Sequence, residues 1–414
     1  MTRFERRSAS PDPIRVIPIG QTEKGGHMAT RKNVNIELFR FLLSLFVVGY
    51  HTRLATDYGS VSLFEFGYFA VEFFFVLSGF LLARSLEKAY AADRNVPKDT
   101  GAFMWNKVRS FLPYHVMAIV LMVAVLGAYD AALLGEKLAG GGWTGIFLVQ
   151  SFVVWTTCEG IVMPEWYLST MLLVMLIVYP CARLLAKKIK RRVFIPVALI
   201  CLLGVVAVAV GFGVNWAFSW NFSVDLRGFG EICLGMMLYY LATYLSKKEM
   251  SRRTEVVLGV TEGVCYALAL VLMCLPSDIM ATIGIPLEIL LAAVAITIAF
   301  SGHGIPSPGG RAGKAFGFLG AVSLPLYLLH PAVVELVPRA LPDLPAYATM
   351  LVCFALSLAV TLVVYGVYTA IRSALKKKNA PPAQGGDGMN AEPSSAVAAE
   401  SEQDADVHPE RALL

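Results

Sequence analysis

The chain has 414 residues, of which 57% are hydrophobic and only 16% are charged. Soluble globular domains carry about 25% charged residues, so this composition excludes the ordinary soluble classes. The apolar runs are continuous and do not alternate with polar residues, which argues against an outer-membrane β-barrel. The net charge of +5 combines basic loops with an acidic C-terminal segment and gives no indication of nucleic-acid binding. The seven cysteines form no CxxC pair, so we interpret them as apolar core residues and predict no metal site.

Eleven apolar segments follow one another, and most are long enough to cross a bilayer. They lie at 34–52, 61–83, 110–128, 143–157, 165–186, 193–214, 224–245, 254–276, 280–300, 315–337 and 345–371. This pattern predicts an all-α polytopic transmembrane helical bundle. Because cytoplasmic loops carry an excess of Lys and Arg, the basic clusters decide how many segments cross. All the basic clusters lie on the cytoplasmic side of the membrane only if the fourth segment does not cross the bilayer. We therefore predict about ten spanning helices, one short or re-entrant segment near 143–157, and cytoplasmic termini.

The two ends of the chain differ from the apolar middle. Residues 1–32 are polar and Arg-rich with no apolar signal-peptide core, so we expect a disordered cytosolic extension. Met28, shortly before the first apolar run, is an alternative start. Residues 376–414 end in a stretch rich in Pro, Gly, Ser and acidic residues, which predicts a disordered cytosolic tail. Residues 33–375 then form the membrane domain.

A polar stripe runs along the first apolar segment, VNIELFRFLLSLFVVGYH. Arg40 and His51 are eleven positions apart. At about 100° per residue, that separation places both side chains within about 20° on a helix. Glu37 and Ser44 lie one turn to either side of Arg40 on the same face. Ionisable groups in a spanning helix are costly and normally face a bundle interior or a watery cavity, so this face is predicted to carry function.

Further motifs give the chain a family resemblance. They are VEFFFVLSGFLL at 71–82, NKVRSFLPYH at 106–115, EWYLSTMLLVMLIVYP at 165–180, RGFGEICLGMML at 227–238 and SLPLYLLHP at 323–331. Together with the first segment, they resemble the membrane acyltransferase 3 family in order and spacing, from about Val34 to Ile371. Arg40 and His51 fit the family pattern of a basic residue, ten others and a histidine.

The chain also departs from the family pattern. Ala70 replaces the glycine that precedes the acid-Phe-Phe motif. Lys107 and Ser110 stand where the family commonly has an Arg-x-x-Arg pair, with Arg109 displaced by one position. The glutamate that many members carry after the Trp-x-Leu-Ser motif is absent. No fused hydrolase-like domain accompanies the membrane domain in this chain.

The resemblance implies an integral-membrane O-acyltransferase of the bacterial plasma membrane. Such an enzyme moves an acyl group, most commonly acetyl, from cytosolic acyl-coenzyme A to a hydroxyl of a glycan or lipid-linked glycan. No permanently bound cofactor is implied, because acyl-coenzyme A acts as a co-substrate. Membrane lipid and the glycan acceptor are the expected partners, with no nucleic acid. The oligomeric state stays open.

Three residues are the candidates for catalysis. His51 has a reference pKa near neutrality, which suits removal of a proton from an acceptor hydroxyl. It could instead take the acyl group as an acyl-imidazole, and the sequence does not choose between these routes. Arg40 could pair with Glu37, hold an anionic part of the donor, or stabilise the developing oxyanion, and these roles are compatible.

Six residues are candidates for substrate binding, each with a plainer structural interpretation beside it. Lys107 and Arg109 could meet the phosphates of coenzyme A or could be ordinary positive-inside residues. Glu72 could orient His51 or bind a sugar hydroxyl, and pairing with Arg53 is the structural alternative. The remaining candidates are two aromatic residues that could stack on a sugar or anchor at the interface, and one histidine that could contact substrate or belong to the core: Trp166, Tyr167 and His330.

Two other functions fit the same composition. A transporter or exporter of a glycan or lipid would also need buried charges, but transporters often show repeated halves, and we find no convincing internal repeat. An acyltransferase that modifies a small cytosolic metabolite is a narrower alternative. The sequence thus favours the enzyme that acts on glycans.

Overall fold

The computed structural model describes residues 33–56, 63–91, 95–152, 160–185, 216–275 and 278–378. These ranges are dominated by helices and contain no β-strand. The α-helices within them are α1 Val34–Ala55, α2 Ala70–Ala91, α3 Val96–Tyr129, α4 Ala131–Lys137, α5 Trp143–Ile146, α6 Trp166–Leu185, α7 Trp216–Leu245, α8 Arg252–Leu272, α9 Asp278–Ser301, α10 Gly310–Ala340 and α11 Ala346–Lys378.

Eight helical stretches in these ranges are long and apolar enough to cross a membrane. They comprise α1, α2, α3, α6, α8, α9, α10 and α11. Helix α7 is also long, with 30 residues, but carries several charged side chains. The predicted span at 193–214 lies outside the described residues, as do the predicted extension at 1–32 and residues 379–414 of the predicted tail. The all-α polytopic architecture is confirmed, and α11 continues three residues into the range assigned to the tail.

The fourth predicted segment does not form a spanning helix in its described part. Helix α5 has only four residues and lies between short turns at Leu138–Gly142 and Gln150–Phe152. At 1.5 Å per residue it rises about 6 Å, whereas a bilayer core is about 30 Å thick. Gly141 has a φ of 107°, a backbone conformation that favours glycine and breaks the helix here. The prediction of a short segment is confirmed.

Helices α1 and α10 form the central pair of the bundle and make the most extensive helix–helix contact in the described chain. They run in the same direction, because Glu37 lies against Gly320 while His51 lies beside His330 further along both helices. Helix α10 also packs on α3 and α11. The polar face of α1 therefore meets α10 over several turns.

Helices α2 and α7 approach so closely that two glycines touch the opposite backbone. A Cβ atom added at Gly79 on α2 would collide with the carbonyl oxygen of Ile232, and one added at Gly235 on α7 would collide with that of Val76. Small residues permit such close approach between membrane helices. The contact brings the charged side chains of α2 and α7 together.

We expect Gly79→Ala to lower the melting temperature of the detergent-solubilised protein by a few degrees, because forcing atoms into a packed contact costs about 1–3 kcal/mol. The matched control is Gly366→Ala on α11, where an added Cβ meets no atom within 4 Å. That control should be neutral or slightly stabilising, because alanine is a better helix former than glycine. Equal melting temperatures for the two variants would contradict the close contact.

Candidate functional site

The polar side chains of α1 share one face, as their periodicity predicts, and that face lies against α10. Arg40 donates a hydrogen bond to Glu37 Oε2 at 3.1 Å, and both side chains are buried. Ser44 Oγ donates to the carbonyl oxygen of Arg40 at 3.0 Å. Towards the other end of the stripe, His51 Nδ1 lies 3.1 Å from Nε2 of His330 on α10. The sequence predicted the shared face but not the second histidine beside the first.

A pocket with about 500 Å³ of empty space, part of it open to solvent, lies beside Arg40, between α1, α2, α6 and α10. Leucine, phenylalanine and methionine side chains form much of its wall. The polar lining consists of five hydroxyl groups and a single charge, contributed by Ser44, Ser78, Tyr167, Ser323, Tyr327 and Arg40. This wall suits a largely apolar ligand that also carries hydrogen-bonding groups.

His51 is not among the residues that line this pocket. Eleven helical steps place it about 16 Å from Arg40 along the axis of α1. It is joined to the pocket wall through α10, where the ring centroids of Tyr327 and His330 lie 6.2 Å apart. His330 is fully buried, whereas His51 is partly exposed. Arg40 and the two histidines therefore occupy successive levels along the same helix pair.

Lys107 lies close to the Arg40 end of the site. Its amino group is buried, lies within electrostatic range of Arg40, and makes no hydrogen bond within the described chain. Arg109 is exposed, because a separation of two residues rotates it by about 200° on α3. Lys107 therefore lies near Arg40 in the structure, whereas Arg109 does not. The guanidinium of Arg40 and the amine of Lys107 could hold an anion, whereas the described ranges contain no cluster of His, Cys, Asp and Glu suited to a metal.

A family model described as an acyltransferase domain, acyltransferase 3, matches residues 33–368, which is most of the chain. The chain belongs to the acyltransferase 3 family. No curated protein and no solved structure matches it. Family membership shows that this protein is a membrane acyltransferase and supports no particular donor or acceptor.

In this acyltransferase, Glu72 belongs to an ion cluster with α7. Its Oε2 lies 3.3 Å from Nε of Arg227, which also lies 3.7 Å from Oε1 of Glu231. Arg53 pairs instead with Glu65 at 2.9 Å, so the predicted alternative of an Arg53–Glu72 pair was wrong. The reason is geometric, since Glu72 is fully buried on the side of α2 that faces α7.

Glu72 does not hold the imidazole of His51 either. The Nδ1 atom of His51 is within hydrogen-bond distance of the carbonyl oxygen of Val47, at 2.9 Å, and of His330. Neither contact comes from α2. The groups within hydrogen-bond distance of His51 therefore belong to α1 and α10, and the role in orienting His51 that was considered for Glu72 does not fit the structure.

The two aromatic residues at the start of α6 face different surroundings. The guanidinium carbon of Arg227 lies 5.7 Å from the ring centroid of Trp166, so one face of the indole already carries a cation. Tyr167 is buried, its hydroxyl lies 3.0 Å from Ser78 Oγ, and it lines the pocket. Tyr167 is thus part of the pocket, and Trp166 is part of the ion cluster.

A buried histidine–glutamate pair was missed by the sequence analysis. His115 Nδ1 lies 2.6 Å from Glu165 Oε1, and its Nε2 bonds to the carbonyl oxygen of Ile146 at 3.0 Å. Both ring nitrogens are engaged, so this histidine ties α3 to the short fourth segment and to the start of α6. The available signal was an acid at the start of an apolar run, but its partner lies fifty positions away.

Proposed function

We propose that this acyltransferase is an O-acyltransferase of the bacterial plasma membrane. It moves an acyl group, acetyl by preference, from cytosolic acyl-coenzyme A to a hydroxyl of a glycan or lipid-linked glycan. The observation that supports this most is the pocket itself, which is apolar with scattered hydroxyls and has Arg40 as the one charge in its described lining. The family resemblance supplies the donor and the acetyl preference.

The electropositive end of the pocket fits the donor. The buried guanidinium of Arg40 pairs with Glu37, and the buried amine of Lys107 lies within electrostatic range of Arg40. A phosphate group of coenzyme A would bind these two groups through charge-assisted hydrogen bonds. Helix α1 begins two positions after Lys32, which follows Arg31, and basic residues mark the cytoplasmic side of membrane proteins. The donor would then approach from the cytosol.

The distance between Arg40 and His51 bears on two roles considered for Arg40, which are contact with an anionic part of the donor and stabilisation of the oxyanion. An axial distance of about 16 Å keeps this guanidinium from an oxyanion formed beside His51. We therefore assign Arg40 to the anionic part of the donor, and the long pantetheine arm of coenzyme A would bridge the gap. His51 would remove the proton from the acceptor hydroxyl, whose oxygen attacks the thioester carbonyl carbon. The carbon–sulfur bond breaks, and the leaving thiolate takes up the proton.

The direct test uses membranes that contain the protein and coenzyme A thioesters labelled in the acyl group. We expect label on a glycan or lipid-linked glycan only when both the protein and the thioester are present. Mass spectrometry of surface glycans, with and without the gene, would identify the modified hydroxyl. Glycan passage across the membrane with no acylation from acetyl, succinyl or longer thioesters would support the transporter instead. Label on a small cytosolic metabolite would support the narrower alternative.

Arg40→Lys should lower kcat/KM for acyl-coenzyme A by at least about tenfold. A guanidinium can bond Glu37 and still offer donors to an anion, which the compact ammonium of lysine does less well. The matched control is Arg252→Lys, since Arg252 also pairs with a glutamate three positions away, Glu255, but is exposed. We expect the control to keep normal kinetics. Normal turnover in Arg40→Lys would reduce this arginine to a charge partner of Glu37.

A further inference from the structure

The contacts of the two facing histidines define where their protons lie. His51 Nδ1 is 2.9 Å from the carbonyl oxygen of Val47, one turn earlier on α1. His330 Nδ1 is 3.2 Å from the carbonyl oxygen of Leu326, one turn earlier on α10. A carbonyl oxygen can only accept a hydrogen bond, so each Nδ1 must carry the hydrogen. The opposite tautomer would set a nitrogen lone pair against a carbonyl oxygen in both helices.

The assignment of a hydrogen to each Nδ1 also determines which atom donates in the contact between the two rings. With its hydrogen on Nδ1, neutral His330 has a lone pair on Nε2, which lies 3.1 Å from Nδ1 of His51. That lone pair accepts the same Nδ1 hydrogen that Val47 accepts, in a shared hydrogen bond. His51 is then left with an unprotonated Nε2. This atom accepts no hydrogen bond from any residue in the described ranges.

We infer that His330 is a positioning residue that holds His51 in the tautomer whose free Nε2 is the catalytic base. The inference rests on the proposed function, because it assigns His330 to the reaction of the same site. When Nε2 takes the hydroxyl proton, His51 becomes an imidazolium, and its Nδ1 hydrogen bonds more strongly to the neutral acceptor on His330. A third group that orients the base is a general feature of such sites. His330 then does not touch the glycan.

The burial of the two histidines agrees with a catalytic role for His51 and a positioning role for His330. His330 is fully buried, whereas His51 is partly exposed and could meet an acceptor. The neighbouring rings are Tyr50, 5.2 Å from His51, and Tyr327, 6.2 Å from His330. No carboxylate in the described ranges forms an ion pair with either histidine. The group that accepts a hydrogen bond from His51 is therefore the neutral imidazole of His330 and not a carboxylate.

The first test reads the tautomers without any activity assay. The chain has six histidines, so a ¹⁵N-histidine spectrum of the protein in lipid is simple enough to assign by substitution. We expect His51 and His330 both to show a protonated Nδ1 and an unprotonated Nε2. A protonated Nε2 on neutral His51 would overturn the inference. Because this readout needs no turnover, it holds even if the protein proves to transfer no acyl group.

The second test separates positioning from binding. His330→Leu removes the acceptor, and we expect kcat to fall about 100-fold with KM for donor and acceptor changed less than about threefold. His330→Gln can place an amide oxygen near the former Nε2 and should recover at least about tenfold over the leucine variant. His303→Gln is the control, since this histidine lies after α9 and bonds to the carbonyl oxygen of Leu245. It should retain full activity.

The outcomes distinguish the inference from the proposed function. A raised acceptor KM with normal kcat in His330→Leu would make His330 a binding residue and overturn the inference while leaving the acyltransferase intact. Equal losses in the leucine and glutamine variants would overturn it too. Absence of acyl transfer in the unaltered protein would instead remove the proposed function. If the leucine variant does not fold, the glutamine variant and the spectrum of the unaltered protein decide the matter.

Discussion

Replacing His51 with alanine should lower the rate of acyl transfer by about 10²–10⁴-fold, the usual contribution of a positioned general base. The expectation follows from the free Nε2 of this residue and from its place at the far end of the polar stripe from Arg40. The measurement is transfer of labelled acyl groups in membranes at matched protein levels. His303→Ala is the matched control and should keep normal transfer.

The same variant tests the covalent route. If the acyl group passes through an acyl-imidazole, label from the thioester should accumulate on the protein when acceptor is withheld, and His51→Ala should abolish it. If His51 is only a base, no such label should form. Normal transfer in His51→Ala would remove this residue from the chemistry altogether, whichever route is considered.

Replacing Arg227 with methionine should destabilise the fold by about 3–5 kcal/mol, because it leaves buried carboxylates without their cation. Glu72 and Glu231 are fully buried, and Arg227 approaches both. Glu288, also buried, interacts electrostatically with Glu72. The measurement is thermal or denaturant unfolding in a defined detergent.

A second substitution makes this prediction specific. Adding Glu72→Gln to Arg227→Met removes one of the stranded charges and should recover part of the lost stability. The matched control is Arg339→Met, whose partners Glu335 and Asp130 are partly exposed, so it should cost about 0–1 kcal/mol. An Arg227→Met protein as stable as the control would show that the cluster does not need its arginine.

Local features of the fold were predictable from the sequence. The period of a helix fixed which side chains of α1 share a face, and the structure places that face against α10. Length and loop charge separated the spanning helices from the short fourth segment. Hydropathy nevertheless located only the apolar part of α3, predicted at 110–128 but observed from Val96. Its earlier turns are polar, and Asn95 caps them by accepting a hydrogen bond from the Lys98 amide.

The pairings between helices could not be predicted. His51 and His330 are 279 positions apart, and the order of helices along the chain does not say which of them become neighbours. The choice of Arg227 over Arg53 as the partner of Glu72 depends on the glycine contact between α2 and α7. That contact arises from Gly79 and Gly235. The Ser-Gly pair at Ser78 and Gly79 indicates that another helix can approach closely, but not which helix does so.

The glycine contact also limits how the pocket could be reshaped. Helix α2 supplies one wall of the pocket, and its opposite side is pressed against the α7 backbone at Gly79. The α2 wall therefore cannot move away from the pocket without colliding with α7. Space for a bulkier donor segment beside Arg40 would have to come from the α6 and α10 walls, where Met171 and Leu324 face the pocket. Substitutions that change how the pocket holds the donor should begin with those two side chains.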